Sequence, residues 1–432
     1  MERFTESRYM EMQREIENAG DQAKPLRSTE VILGLLPLAF GLQLIVWIIC
    51  VPQTMHGNSD FRAYYSGARL VASGQGELIY DDAAEKTVQD NSVSYFPTVL
   101  PFTHPAYEAL FFVPFTLTSY RFAYLAFLAF NVLCLFCSYL LLGEKMSRWR
   151  QGWKWLPATA MIGFMPVSVA LIQGQDSLLL LVLAAAALRV AGKNDLLAGI
   201  VLGLGIFKFQ ILLPIVLLFL VWRKWHVVFG WALSTAGAVV LSFQVTGIRG
   251  LHAYADKLYS IGLKRHGADL TLYGVPVARM PNLRGLLVTV GKMAPHVSVP
   301  IILIASAIIL IIAAWGGRET SPQWQLAIGL SAATLVGYHV LTHDLSLLLI
   351  PMSVLLSENP SRGLWSVTVV WISTALCFFG LDYMVALPVL ALFFVLVFVA
   401  RRTRARTGKA VPVLSYPSSD YRCNQQKESF GL

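Results

Sequence analysis

Charge is scarce in this chain: only 14% of its 432 residues are Asp, Glu, Lys or Arg, against about 25% in a soluble domain. Cysteine is scarcer, with five residues. Cys50, Cys134, Cys137 and Cys377 stand in or beside apolar runs, and Cys423 lies in a polar C-terminal stretch. That distribution excludes a disulfide framework. Cys134 and Cys137 have redox-motif spacing, but an apolar run lacks the polar, accessible setting of zinc and redox sites, so both read as packing residues. Residues 1–29 contain no short apolar core followed by small cleavage residues, so the first apolar run, Val31–Val51, reads as an uncleaved span. No internal repeat is visible, which speaks against the paired halves of many secondary transporters.

What fills the chain is apolar: 56% of residues are hydrophobic and the mean hydropathy is +0.59. The sequence therefore predicts an all-α polytopic membrane protein. A soluble enzyme and a disordered chain are excluded. At ~20 residues per crossing, the runs give about twelve spans. They are Val31–Val51, Arg121–Leu142, Leu156–Ile172, Ser177–Val190, Leu196–Phe207, Ile211–Trp222, Val227–Val245, Val299–Trp315, Trp324–Leu341, Leu345–Leu356, Trp365–Phe379 and Met384–Ala400. Pro105–Thr118 is apolar but short and holds two prolines, so it reads as re-entrant or interfacial.

The net charge of +9 sits mostly between these runs, so it points to membrane topology and not to nucleic acid. Residues 143–154, Arg189–Lys193, Arg223–Lys224, Arg318, Arg362 and the RRTRAR stretch at 401–406 all fall on one side. By the positive-inside rule that side is cytoplasmic, with both termini. The chain then divides into a cytoplasmic tail (1–29), a membrane domain (30–400) and a basic, disordered tail (401–432).

The few ionisable residues near membrane depth collect on the opposite, outer face, where they mark a functional cavity. Asp60 opens DFRAYYSGARL (60–70), an amphipathic helix that includes Tyr64; it reads either as that helix's N-cap or as a catalytic base. Lys208 interrupts an apolar stretch and either snorkels to the interface or meets a phosphate at a cavity mouth. QGQD (173–176) is a polar turn holding Gln175, with Asp176 capping the next helix. His339 and His343 stand four apart beside Asp344, taken as one helical face. That spacing would suit a metal but lacks the Glu of a zinc protease, and polar packing or substrate contact fits as well. The outer loop 248–298 is basic and includes Arg265 and Arg284.

Several segments in order resemble glycosyltransferase family 87, membrane transferases of the GT-C type that use polyprenyl-phosphate sugars. They are DFRAYYSGARL with LIYD (78–81), HPAYEALFFVPFTLTS (104–119), GQDSLLLLVLAAAAL (174–188), AGIVLGLGIFKFQILLP (198–214), MPNLRGL (280–286) and HDLSLLLIP (343–351). One departure is His104-Pro105-Ala106, where the family commonly has Tyr-Pro-Pro.

The resemblance implies a GT-C-like bundle of about 12 helices, with interfacial helices in the first outer loop. It also implies an inverting transfer of a hexose, mannose in particular, from a polyprenyl-phosphate sugar to a lipid-linked or cell-envelope glycan at the outer face of the plasma (inner) membrane. Asp60 would then be the base. Lys208, with Arg284 and Arg265 behind it, would hold the donor phosphate. His343, Asp344, His339, Tyr64 and Gln175 would orient or contact the acceptor. No cofactor and no metal ligand is implied, and a divalent cation has no support from the sequence. The rival readings are a lipid or sugar transporter and a non-catalytic scaffold.

Overall fold

Where water is absent, a chain must satisfy its own backbone polar groups, and helices do so within each segment. The computed structural model describes residues 27–147, 154–262, 276–292 and 295–407, and every regular element among them is helical. Among the described residues, five helices are long and apolar enough to cross a membrane. They are α1 (Arg27–Thr54), α5 (Tyr120–Leu142), α11 (Trp225–Gly262), α13 (Pro295–Gly317) and α17 (Ala386–Thr407). Two bent pairs raise the number to seven: α6 (Leu156–Ile162) with α7 (Met165–Gln173), bent by 53°, and α9 (Asp195–Gly203) with α10 (Phe209–Val221), bent by 71°.

The remaining runs of the twelve take other forms among the described residues. Leu196–Phe207 and Ile211–Trp222, read as two spans, form one bent pair. Other runs became helices shorter than a bilayer: α8 (Ser177–Val190), α14 (Pro322–Val336), α15 (Leu349–Glu358) and α16 (Pro360–Ser373). In α14 every residue from Trp324 to Leu335 is buried, and α15 is buried from Leu349 to Leu356. Their all-round apolarity therefore serves packing within the protein. The α9–α11 pair is close because Gly199 and Gly230 leave no side chain between them. A Cβ on Gly199 would lie 2.0 Å from the Val227 carbonyl oxygen. Helix α17 continues through the basic RRTRAR stretch to Thr407; the segments 1–26 and 408–432 lie outside the described residues.

The first loop folds into a lobe of its own. It contains α2 (Phe61–Ala72), α3 (Asp82–Ser92), the irregular stretch 95–105, and α4 (Ala106–Phe112) running into a 3₁₀ turn, Val113–Leu117. Together α4 and the turn are too short to cross a bilayer, as expected for Pro105–Thr118. Helix α2 spans the expected residues but does not lie as an amphipathic helix on a surface: Phe61–Ala68 and Leu70 are all buried, Arg62 and Ser66 among them. An aromatic core holds the lobe together, with Phe61 stacked on Phe127 at 5.2 Å and Tyr64 on Phe112 at 4.8 Å.

The long helix α11 ties this lobe to the bundle. It breaks at Gly247 (φ 61°, ψ −171°), a backbone conformation open to glycine. Beyond the break, Lys257 donates to the Tyr80 carbonyl at 3.2 Å and pairs with Asp82 at 2.9 Å and Glu85 at 3.7 Å. Tyr254 stacks on Tyr80 at 4.8 Å.

Candidate active site

Between the first-loop lobe and the bundle lies a cavity of about 360 Å³. Its wall includes Asp60, Tyr64, Gln175, Lys208, His339, His343 and Asp344, together with His104. The structure thus gathers seven of the nine residues expected from sequence. Arg284 is near the mouth, donating to the Tyr338 carbonyl at 3.2 Å with its guanidinium 4.0 Å from the centre of the Tyr338 ring, which itself lines the cavity. Arg265 lies outside the described residues.

Asp60 sits at the N-terminus of α2 in a helical conformation (φ −65°, ψ −25°), and its carboxylate makes no capping bond. It accepts instead from the Gln175 amide nitrogen at 2.5 Å. The Gln175 carbonyl oxygen receives the Tyr64 hydroxyl at 3.0 Å and the Lys208 ammonium at 3.3 Å. Two donors on that oxygen fix the amide's orientation, so its N–H₂ must face Asp60. Gly174, in the left-handed region at φ 60°, makes the turn that allows this. A Cβ there would lie 2.8 Å from Cβ of Phe61, the residue after Asp60.

Lys208 does not snorkel. It is 3% exposed and sits where the bent pair turns. Its ammonium lies 2.9 Å from Asp176 Oδ1 and 3.1 Å from Asp344 Oδ1. These two carboxylates are its ion-pair partners, and the Gln175 oxygen accepts its hydrogen bond. Tyr107 steadies the turn: its hydroxyl accepts from the Phe207 N–H at 3.0 Å and donates to the Leu204 carbonyl at 3.1 Å.

Asp176 precedes α8 but makes no side-chain cap. Its second oxygen lies 3.2 Å from His104 Nδ1, which also meets Glu108 Oε2 at 2.5 Å. Burial opposes a charged His104, but Glu108 and Asp176 outweigh it and hold the imidazole's pKa up at about 10. His104 and Glu108 were not singled out from sequence. The available signal was an acid and an imidazole one helical turn apart in an otherwise apolar segment.

His339 and His343 do not share a helix. Helix α14 ends at Val336, residues 337–341 are irregular, and a 3₁₀ turn starts at Thr342. The four-residue spacing therefore does not align their rings as a helix would. His343 Nδ1 lies 2.9 Å from Ser177 Oγ and 3.1 Å from Asp344 Oδ1, while Ser177 donates to Asp344 at 2.8 Å. With acceptors on that side, Nδ1 is assigned the proton, and Nε2 is left buried without a partner.

Residues 102–351, more than half of the sequence, match the model of glycosyltransferase family 87. The chain belongs to glycosyltransferase family 87. It is thus a membrane glycosyltransferase, with a sugar donor and an acceptor as its substrates. No curated protein and no solved structure matches it. The family match begins after Asp60 and Tyr64 but contains every other cavity residue discussed here, so the contact of Gln175 with Asp60 joins the first-loop acid to the matched region.

Proposed function

We propose that the protein transfers a hexose, mannose in our reading, from a polyprenyl-phosphate sugar to a lipid-linked or cell-envelope glycan, with Asp60 as general base. One observation carries this. Of the acids in and behind the cavity wall, Asp176 and Asp344 are paired with Lys208, and Glu108 with His104. Asp60 has no ion pair within 4 Å among the described residues: an amide ties it, and Arg62 acts on it only from farther off. It is the acid left able to take a proton.

In the reaction, the acceptor hydroxyl oxygen bonds to the anomeric carbon as the bond from that carbon to the phosphate oxygen breaks. The hydroxyl proton passes to Asp60, and polyprenyl phosphate leaves with the electron pair. Attack opposite the leaving group inverts the anomeric centre. His343, with Asp344, orients the acceptor from the wall, and His339 and Tyr64 bound its ring. Lys208 acts on the phosphate through its charge, and Arg284 reaches it from the mouth.

We also propose that the cavity opens to the outer face of the plasma membrane, with both termini cytoplasmic, a reading supported by the basic short connections. The deciding assay is transfer of radiolabelled mannose from polyprenyl-phosphate mannose to a panel of membrane acceptors. Asp60→Asn is expected to lower kcat at least ~10²-fold, the lower end of general-base contributions, with an unchanged gel-filtration profile. Undiminished transfer by the variant would remove Asp60 from the role.

A further inference from the structure

An anionic donor presents the cavity with an electrostatic problem. Among the described residues, four carboxyls (Asp60, Glu108, Asp176 and Asp344) stand in or directly behind the wall around Lys208, against that ammonium, the His104 imidazole and the Arg284 guanidinium beside Tyr338. Lys208 is already held between two carboxylates, which offset its charge. A leaving phosphate gains negative charge and needs a cation or donors at close range.

We infer that His104, Glu108 and Asp176 form a binding site for a divalent cation directly behind the cavity wall, whose charge holds the donor phosphate. The role assigned to the ion rests on the transferase reading. The site itself rests on geometry. One atom from each residue (an imidazole nitrogen and two carboxylate oxygens) lies within 4.8 Å of the others. Glu108 is 3% exposed, and its Oε1 is fully enclosed with no hydrogen-bond donor facing it. Asp176 divides its oxygens, Oδ1 to Lys208 and Oδ2 to the cluster. His104 lines the cavity while Glu108 and Asp176 stand behind it, so an ion held here sits at the wall beside the His104 ring.

The His104–Glu108 contact, 2.5 Å, must open to the edge of about 3 Å that ligands at 2.0–2.1 Å make in an octahedron. The ion replaces the proton shared by the imidazole and its acids, so binding releases protons. One nitrogen and two carboxylate oxygens suit Mn²⁺, and Mg²⁺ more weakly.

The test uses the full-length chain in detergent, stripped with EDTA, desalted and titrated with MnCl₂ while free Mn²⁺ is followed by electron paramagnetic resonance. The expected result is one Mn²⁺ per chain, bound at least about tenfold more weakly by His104→Ala and by Glu108→Gln, the low end of losses seen even for outer-shell changes. Absence of a stoichiometric ion on the wild type overturns the site, whether or not the variants fold. Equal affinity in wild type and both variants overturns it as well. Sugar transfer is measured separately. Stoichiometric, variant-sensitive Mn²⁺ binding with no transfer to any acceptor keeps the site and removes the transferase reading. Full transfer by protein that holds no ion does the reverse.

Discussion

Gln175 shows how one side chain can connect the proposed base, Asp60, to a buried charge network. Its oxygen is fixed by Tyr64 and Lys208, so its nitrogen is presented to Asp60. Gln175→Glu keeps the size and the acceptor but replaces the amide donor with a carboxylate. Donor KM should stay within about twofold while kcat falls about tenfold or more, because a charged contact is lost where the proton is taken. Steady-state kinetics that leave kcat unchanged would sink this role. At this scale the sequence was partly legible. Asp60, Lys208, His343 and Asp344 stand out as ionisable residues beside apolar runs. Their pairing was not legible, because it depends on contacts between distant segments: Lys208 meets Asp176 and Asp344 only after the bent pair and the 3₁₀ turn are packed together. Asp60 and Asp176 each stand where an N-cap is expected, and neither caps.

The first-loop helices α2 and α3 are set by buried polar contacts as much as by aromatic packing. Glu85 on α3 accepts the Phe102 N–H with both oxygens, at 2.9 and 3.0 Å, and so positions a residue of the cavity wall. Burial pushes the Glu85 carboxyl up to about 8, although Lys257 and the Phe102 N–H pull it down. The folded chain therefore keeps this proton more tightly than the unfolded chain. Glu85 contributes stability that is present below about pH 4.5 and is lost as pH rises toward 8. Thermal unfolding followed from pH 5 to pH 8 should show a falling Tm in the wild type and a shallower fall in Glu85→Gln. Equal slopes would exclude Glu85 as the source. That α2 is a helix was readable from DFRAYYSGARL. Its enclosure on all sides was not, since apolar spacing does not reveal what covers the polar face.

Across the whole molecule, apolar runs conveyed the class, and the described residues supply five to seven crossing candidates where the runs gave about twelve. Helices such as α14 and α15 are as apolar as lipid-facing ones because protein surrounds them. Orientation can be measured on a chain lacking its five native cysteines. A cysteine at Glu77, exposed in the first loop, should react with an impermeant maleimide on intact cells. One at Lys193, exposed in the turn after α8, should react only after permeabilisation. The opposite pattern would turn the cavity toward the cytoplasm.

The break at Gly247 has a bearing on substrate breadth. Leu258, a cavity residue, rides on the segment beyond it, and that segment is fastened to the first-loop lobe by Lys257 and the Tyr80–Tyr254 ring pair. One side of the chamber is thus set by a kinked segment and its fastening, while Asp60, Lys208 and His343 sit on other elements. Changes to that fastening alone would alter the room inside and leave those three side chains where they are.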